Sequence, residues 1–147
     1  MAVLSFSAVR QRIAAVVQAL PGMAQSPYLD DQLTTQSARS ASDGRFTVTV
    51  RASSVQFQQR QKRPEGVEVY SDISVEFLTN FRDDAAVADY DAALDRASTV
   101  LAAIMSDTSL VNLHLDFVSM EEAAIVIDSP VTRTTLNFRA KHRIALQ

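Results

Sequence analysis

The amino-acid sequence predicts an α+β domain in which an antiparallel sheet with a long β-hairpin is packed on one face by two amphipathic helices. Three observations lead to this prediction. Residues 83–105 carry apolar side chains at steps of three and four, which keeps one stripe on a single helix face. Stretches on both sides alternate apolar and polar residues with a period of two, as strands do. A sheet with one apolar face is the natural partner for such a helix.

Two helices are predicted. The central helix, over 83–105, has an apolar stripe made of Val87, Tyr90, Leu94, Ala97, Leu101 and Ile104. We expect this whole stripe to be core. The first helix is predicted over 6–20, with Ser5 or Ser7 as its cap and Pro21 and Gly22 as its stop.

A long β-hairpin arm is predicted over 45–78. Residues 45–57 and 67–77 alternate in polarity, and the segment between them contains the turn residues Pro64 and Gly66. The preceding stretch, 23–44, is predicted to be a long irregular loop rich in Ser, Thr, Gln and Ala. A connection of this length is unusual inside a compact domain, and both a binding loop and a solvated linker are open interpretations.

Two or three further strands are predicted after the central helix. The first is an alternating run whose apolar members are Val111, Leu113, Leu115 and Phe117. The segment 119–127 fits either a helical turn or a strand, because a capping-box pattern is followed by β-branched residues. A last alternating run extends to Leu146.

Size and composition limit the classes of function that this chain can have. A chain of 147 residues is one domain by length. A net charge of −3 gives no overall attraction for nucleic acid or anionic membrane, and the absence of cysteine excludes disulfides and thiolate metal sites. No stretch approaches the length of a membrane span. The N-terminal apolar run is interrupted by Arg10 and Arg12 and follows helical spacing, so we expect a helix there and no signal peptide.

Residue patterns give no sign of catalysis. The two histidines, His114 and His142, show no spacing that would bring them together with carboxylates in a metal site or a triad. Three glycines in the whole chain are too few for a glycine-rich phosphate cradle. We therefore expect no enzymatic activity, no catalytic residues, no metal and no cofactor.

Charged residues form the candidate site. The predicted hairpin tip carries Arg60, Lys62 and Arg63. The polar side of the last strand carries Arg133, Arg139, Lys141 and Arg143. The polar side of the second hairpin strand carries Glu68, Asp72 and Glu76. Neighbouring cations on one strand face repel unless counter-charges lie nearby, so the acidic row is the natural partner of the basic row. The acidic row can pair with the basic row within the chain or between subunits, and the sequence leaves both open. In either case the cations face carboxylates and do not form a DNA-reading surface.

The order of elements resembles that of the tail terminator (tail completion) proteins of long-tailed bacteriophages. The matching features are the helix at 6–20, the two-stranded arm at 45–78, and the helix at 85–105 with its following strands. The closing run TTLNFRAKHRI, residues 134–144, is similar to the family's final strand, which alternates apolar and basic residues. The likeness spans nearly the whole chain and is one of pattern.

The resemblance implies a structural role in the phage neck. It implies a homohexameric ring that caps the tail tube, stops its polymerisation and joins the tail to the head connector. The implied partners are the chain itself, the tube protein, a head-completion or connector protein, and genomic DNA that passes through the channel without being read. The implied location is the virion neck, after assembly in the host cytoplasm, with no membrane.

Other classes of protein also fit parts of this pattern. A head-closure protein or another head–tail adaptor would share the same pattern. A small α+β ligand-binding domain or enzyme would need a concave site with convergent polar groups. A nucleic-acid-binding module would need aromatic residues among its cations.

Overall fold

The computed structural model describes residues 2–26, 43–52, 62–63, 66–80, 86–125 and 131–145. In chain order, these ranges contain α1 (Phe6–Gln18), β1 (Ala24–Gln25), β2 (Arg45–Ala52), β3 (Lys62–Arg63), β4 (Gly66–Asn80), α2 (Ala86–Ser106), a 3-10 helix (Thr108–Leu113), β5 (Asp116–Ile125) and β6 (Val131–Ile144). The strands form one sheet and both α-helices pack on its apolar face. The predicted α+β class is confirmed.

The sheet is built around the antiparallel pair of β4 and β6, which are 15 and 14 residues long. They pair without interruption from Val67 opposite Ile144 to Asn80 opposite Val131. The strand order is β1-β2-β4-β6-β5, and β3 pairs with the start of β4. The pairings of the described strands are antiparallel except that of β1, which runs parallel to β2.

Alternating side chains of the sheet form the core under the helices. On the helix side of the three central strands, the buried apolar residues are Phe46, Val48, Val69, Ile73, Val75, Phe77, Leu136, Phe138 and Ala140. The register sets Ile73 opposite Phe138 and Val75 opposite Leu136, so the apolar positions of neighbouring strands share one face. This face packs against apolar residues of α1 and α2 in a single cluster.

The first helix begins at the predicted cap. The Ser5 hydroxyl accepts a hydrogen bond from the Ala8 N–H at 3.2 Å, which satisfies one of the free donors of the first turn. The helix ends at Gln18, two residues earlier than predicted, and a turn follows at Pro21 and Gly22. Its buried positions are Val9, Ile13, Ala14 and Val17.

The buried face of α2 differs from the predicted stripe. The face that packs on the sheet consists of Ala93, Ala97, Val100 and Ile104. Val87 is 77% exposed and Tyr90 is 45% exposed, while Leu94 and Leu101 are partly buried. The apolar arc of the helix is wider than one stripe, and its small residues Ala93 and Ala97 let the helix lie close to the sheet. The prediction that the whole stripe is core was therefore wrong for Val87 and Tyr90.

Arg96 on α2 connects the helix to the sheet. The two terminal nitrogens of Arg96 each donate to a carboxylate oxygen of Asp43 at 2.9 Å, and one also donates to the carbonyl oxygen of Leu78 at 3.1 Å. Asp43 in turn accepts from the backbone N–H of Asn80. The bond from Arg96 lowers the pKa of the Asp43 carboxyl. This bidentate pair links the helix to the turn before β2 and to the end of β4.

The predicted hairpin is present, but its strands lie inside the sheet. β2 and β4 pair from Phe46 opposite Phe77 to Ala52 opposite Ser71. Because β4 also pairs with β6 along nearly its whole length, the described part of the hairpin is no separate arm. The predicted loop at 23–44 contains the short strand β1, and its residues 27–42 lie outside the described part of the chain.

Gly44, next to this loop, has a backbone conformation that favours glycine. Its φ is +78°, and a Cβ at this position would overlap the carbonyl oxygen of Gly22. Its N–H donates to the carbonyl oxygen of Leu78 at 2.9 Å. Glycine therefore allows the chain to enter β2 close to the end of α1.

The strand predicted from Val111 to Phe117 was wrong in its first half, because residues 108–113 form a 3-10 helix. The carboxylate of Asp107 accepts from the Ser109 N–H at 2.8 Å and starts this helix. Leu110 and Leu113 are buried, since positions three apart share one side of a 3-10 helix. The ambiguous segment after Ser119 is strand as far as Ile125, and 126–130 lie outside the described residues.

We predict that Ile104→Ala lowers the free energy of unfolding by about 2–5 kcal/mol, since this side chain is almost fully buried in the core between helix and sheet. Val87→Ala is the control on the same helix and should change it by less than about 0.5 kcal/mol. Urea denaturation followed by circular dichroism measures both. Equal losses for the two variants would contradict the assignment of the buried face.

Candidate functional site

The predicted acidic and basic rows lie side by side on the sheet face that points away from the helices. This face carries the residues that alternate with the core positions of β4 and β6. The register sets Glu68 opposite Arg143, Tyr70 opposite Lys141, and Asp72 opposite Arg139. Cross-strand neighbours of this kind have their Cβ atoms about 5 Å apart, within reach of opposite charges.

Three ion pairs join the two rows. Arg139 Nε donates to Asp72 Oδ1 at 3.0 Å. Glu68 accepts from Arg143 at 3.4 Å and lies 3.8 Å from the ammonium nitrogen of Lys141. The Lys141 nitrogen is also 5.6 Å from the centre of the Tyr70 ring, a cation–π distance.

The remaining members of the predicted site fall in different places. Glu76 is mostly buried and accepts from the Thr135 hydroxyl at 3.4 Å. Arg133 lies opposite Leu78 and is half-buried. The backbones of Lys62 and Arg63 form β3, opposite Val67 and Gly66. Arg60 lies outside the described residues.

The sequence left open whether the charged rows pair within the chain or between subunits, and in the structure they pair within the chain. Because β4 and β6 are neighbours, three of the four cations of the basic row lie within 4 Å of Asp72 or Glu68 in the same chain, and these two carboxylates offset two of the three positive charges. These pairs agree with the register of the central strands. A role of the same residues between subunits or toward a tube stays a prediction.

Polar side chains on the same face also bond to one another. Ser74 Oγ donates to Asn137 Oδ1 at 2.8 Å, and Asn137 Nδ2 donates to Ser119 Oγ at 3.1 Å, which links β4, β6 and β5. They line a shallow depression of about 540 Å³ together with Arg51, Asp72 and Arg139. Within the described ranges, no group of three His, Asp or Glu side chains has the geometry of a metal site.

His142 is the most constrained ionisable group of the described residues. Its side chain is 0% exposed, with Nδ1 2.9 Å from the carbonyl oxygen of Leu4 and Nε2 2.7 Å from Ser71 Oγ. The carbonyl can only accept, so Nδ1 carries the proton and Nε2 accepts from the Ser71 hydroxyl. Phe6 covers the ring edge-on with centroids 5.7 Å apart. Burial lowers the pKa of His142 and keeps it neutral.

This histidine holds the N-terminal segment on the sheet. Val3 forms a parallel bridge with Arg143, and Leu4 N–H donates to the Arg143 carbonyl oxygen at 2.8 Å. The segment thus lies along β6 beyond Arg139, where the pairing with β5 stops. This geometry gives His142 a structural role. His114 is exposed and ends the 3-10 helix at a φ of +46°.

A second surface was not anticipated as a site. Phe117 and Met120 on β5 point to the helix side of the sheet yet are 40% and 42% exposed. Tyr90 on α2 lies beside Glu122 of β5, whose carboxylate raises the pKa of the tyrosine hydroxyl. The signal in the sequence is the pair of apolar residues Val87 and Tyr90, which helical spacing alone assigns to the core.

Neither a protein-family model nor a curated protein matches this chain. The resemblance to tail terminators therefore depends on element order and residue pattern. No helix of the described residues is long and apolar enough to cross a membrane.

We predict that Arg139→Glu lowers the free energy of unfolding by about 1 kcal/mol, because it sets a carboxylate against Asp72. Adding Asp72→Arg should recover most of this loss within a single chain. Urea denaturation of the two single variants and the double variant measures the coupling. Strictly additive effects would show that the pair contributes nothing to the β4–β6 register.

We predict that stability depends on pH through His142. Its folded pKa lies below the unfolded value of about 6.5, so its contribution is complete above that value and is lost as the pH falls through the lower folded pKa. Acidification from pH 7.5 to 5 should therefore destabilise the parent protein more than His142→Gln, which cannot titrate. Chemical denaturation across this range tests the difference, and parallel curves would contradict it.

Proposed function

We propose that this chain is a tail terminator of a long-tailed bacteriophage. In this role, six copies form a ring on the end of the tail tube, stop its polymerisation and present the opposite ring face to a head-completion or connector protein. The chain acts as a structural component of the virion neck, assembled in the host cytoplasm, and carries out no catalysis.

The observation that carries the proposal is the arrangement of elements. One helix, a hairpin of β2 and β4, a second helix and two final strands follow in the order that the resemblance implies. The final strand is β6, which alternates buried apolar residues with Arg133, Arg139, Lys141 and Arg143. This strand is central in the sheet and not at its edge, so its basic residues lie on an extended face.

The charges of the described surface favour a protein contact over DNA reading. The cations of β6 that face acidic residues of β4 are paired with them at 3.0–3.8 Å, which leaves less positive charge to attract a polyanion. The chain as a whole carries a net charge of −3. A ring that lets DNA pass needs no base-reading element. A surface whose cations are paired with carboxylates suits a channel that does not retain the duplex.

The basic residues of β3 are assigned to an interface. β3 places Lys62 and Arg63 at the start of β4, at the same end of the sheet as Glu68 and Arg143. We assign Lys62 and Arg63 to contacts with the tube protein or with the neighbouring subunit, and for Arg60, outside the described residues, the same assignment stays a sequence prediction. Charged contacts of this kind set register and association rate, and they weaken as salt is raised.

The test is reconstitution on tail tubes. Purified protein is added to growing tubes of the tube protein encoded by the same phage genome, and samples are imaged by negative-stain electron microscopy. We expect six-subunit rings at one tube end and an arrest of growth. Tubes that elongate at an unchanged rate, or virions in which the labelled chain lies outside the neck, would contradict the proposal.

Location within the neck separates the proposal from a head-closure role. A gold label on this chain should mark the last ring of the tube in isolated, headless tails. A label that is present on heads and absent from isolated tails would instead assign the chain to head closure.

A further inference from the structure

The N-terminal segment of residues 2–4 occupies the edge of β6 where β5 ends. The pairing of β5 with β6 stops at Arg139, and the segment lies further along β6, at Arg143. Two hydrogen bonds join them: the Leu4 N–H donates to the Arg143 carbonyl oxygen at 2.8 Å, and the Arg143 N–H donates to the Ala2 carbonyl oxygen at 2.9 Å. The segment thus satisfies backbone groups of β6 that β5 does not reach.

Among the described elements around His142, this segment is the shortest and the least buried. The ring contacts Phe6 of α1, Leu4 of the segment and Ser71 of β4. β4 and β6 pair along nearly their whole length, and buried apolar side chains anchor α1 in the core. The segment is only three residues long, and Val3 in its middle is 50% exposed. Local opening therefore costs less free energy at the segment than at the strands or at α1.

The hydrogen bonds of His142 fit its neutral form. Nδ1 donates to the Leu4 carbonyl oxygen and Nε2 accepts from the Ser71 hydroxyl, and both His142 and Ser71 are 0% exposed. Protonation places a second donor at Nε2, so the Ser71 hydroxyl loses the acceptor of its own proton. Because Ser71 is fully buried, water cannot replace that acceptor while the segment is attached, and this disfavours the protonated form.

A positive charge on His142 has no compensating carboxylate in the described part of the chain. No carboxylate oxygen of these residues lies within 4 Å of a ring nitrogen. The segment itself has no ionisable side chain, and α1 carries Arg10, a further cation, one turn after Phe6. The other titratable neighbours on β4 and β6 lie on the opposite face of the sheet: Glu68, Tyr70, Lys141 and Arg143. An imidazolium ring is therefore more stable in water than in this enclosure.

We propose that residues 2–4 form a clasp that is attached to β6 while His142 is neutral and detaches from β6 when His142 is protonated. Detachment opens a path for water to both ring nitrogens, while the sheet and the two α-helices keep their contacts. It also uncovers the backbone of β6 beyond Arg139 on the edge that the clasp occupies. Release of the clasp is a property of the folded chain by itself, beyond the proposed function, and is expected whether or not the chain forms a ring.

The direction of the pH dependence follows from the burial of the ring. Burial lowers the pKa of His142 in the attached state. In the detached state the ring meets water, and its pKa returns toward the ordinary value of about 6.5. The detached state therefore binds the proton more tightly, and the attached state is favoured above this value. As the pH falls from about 6.5 toward the attached-state pKa, the ratio of detached to attached chains rises by up to about tenfold per pH unit.

Hydrogen exchange followed by NMR tests the clasp in the intact protein. The amide hydrogens of Leu4 and Arg143 lie in the bonds that hold the clasp, so their protection factors report its detachment. The amide of Ile73, in the middle of β4, reports opening of the central sheet. After correction for the intrinsic pH dependence of exchange, we expect protection at Leu4 and Arg143 to fall by about threefold or more from pH 7.5 to 5. At both pH values it should be lower than at Ile73 by about tenfold or more.

Histidine variants separate His142 from the other groups that titrate. His142→Gln cannot titrate, so protection at Leu4 and Arg143 should change by less than about 1.5-fold over the same pH range. His114→Gln removes the other histidine of the chain, which is exposed, and should keep the full change. The ring signal of His142 in the parent protein gives a reading that needs no variant. Protection should stop falling at the pH at which this ring titrates, below about 6.5.

Protection at Leu4 and Arg143 that is independent of pH would overturn the inference, because release would then involve no proton. Protection as high as at Ile73 would also overturn it, since these amides would exchange only when the whole sheet opens. An unchanged pH dependence in His142→Gln, or its loss in His114→Gln, would assign the effect to another group and overturn the role of His142. A His142 ring that titrates at or above about pH 6.5 in the folded protein would contradict the attached state described above.

Discussion

The antiparallel pairing of β4 with β6 is the contact on which the rest of the structure depends. It runs from Val67–Ile144, which are 77 residues apart in the chain, to Asn80–Val131, which are 51 residues apart. Because side chains alternate, this single register creates two different surfaces. One is the apolar face that α1 and α2 cover, and the other is the face on which Asp72 meets Arg139. A slip of one residue would exchange the two faces, so core and ion pairs specify the same register.

The sequence predicted the features that depend on local periodicity. The alternation in 45–57, in 67–77 and in the run that extends to Leu146 predicted the strands of the central sheet, which the structure has at Arg45–Ala52, Gly66–Asn80 and Val131–Ile144. The apolar spacing in 6–20 predicted α1, and Ser5 is one of its two predicted caps. Whether each of these elements is a helix or a strand follows from the side-chain pattern of that element alone. The acidic and basic rows were also visible, because charges two apart on a strand must share a face.

The missed features depend on tertiary packing. The apolar arc of α2 is wide enough to fit two orientations, and periodicity does not say which one meets the sheet. The contact of Arg96 with Asp43 and the small side chains Ala93 and Ala97 decide it, and that turns Tyr90 toward β5. The run at 111–115 alternates like a strand, but the Asp107 cap and the burial of Leu110 with Leu113 favour a 3-10 helix. Whether the basic row pairs with the acidic row in the same chain depends on β4 and β6 being neighbours, which the pattern of each strand by itself does not reveal.

The sheet face that points away from the helices carries charges of both signs across its width. In its middle, carboxylates of β4 and cations of β6 lie within 4 Å of each other. Arg51 of β2 and Glu121 of β5 line one depression on this face together with Asp72 and Arg139. Because acidic and basic side chains alternate there, the face is strongly polar and yet has little excess positive charge to attract a polyanion. The same alternation that buries the apolar residues under the helices therefore also determines which charges meet on the other side of the sheet.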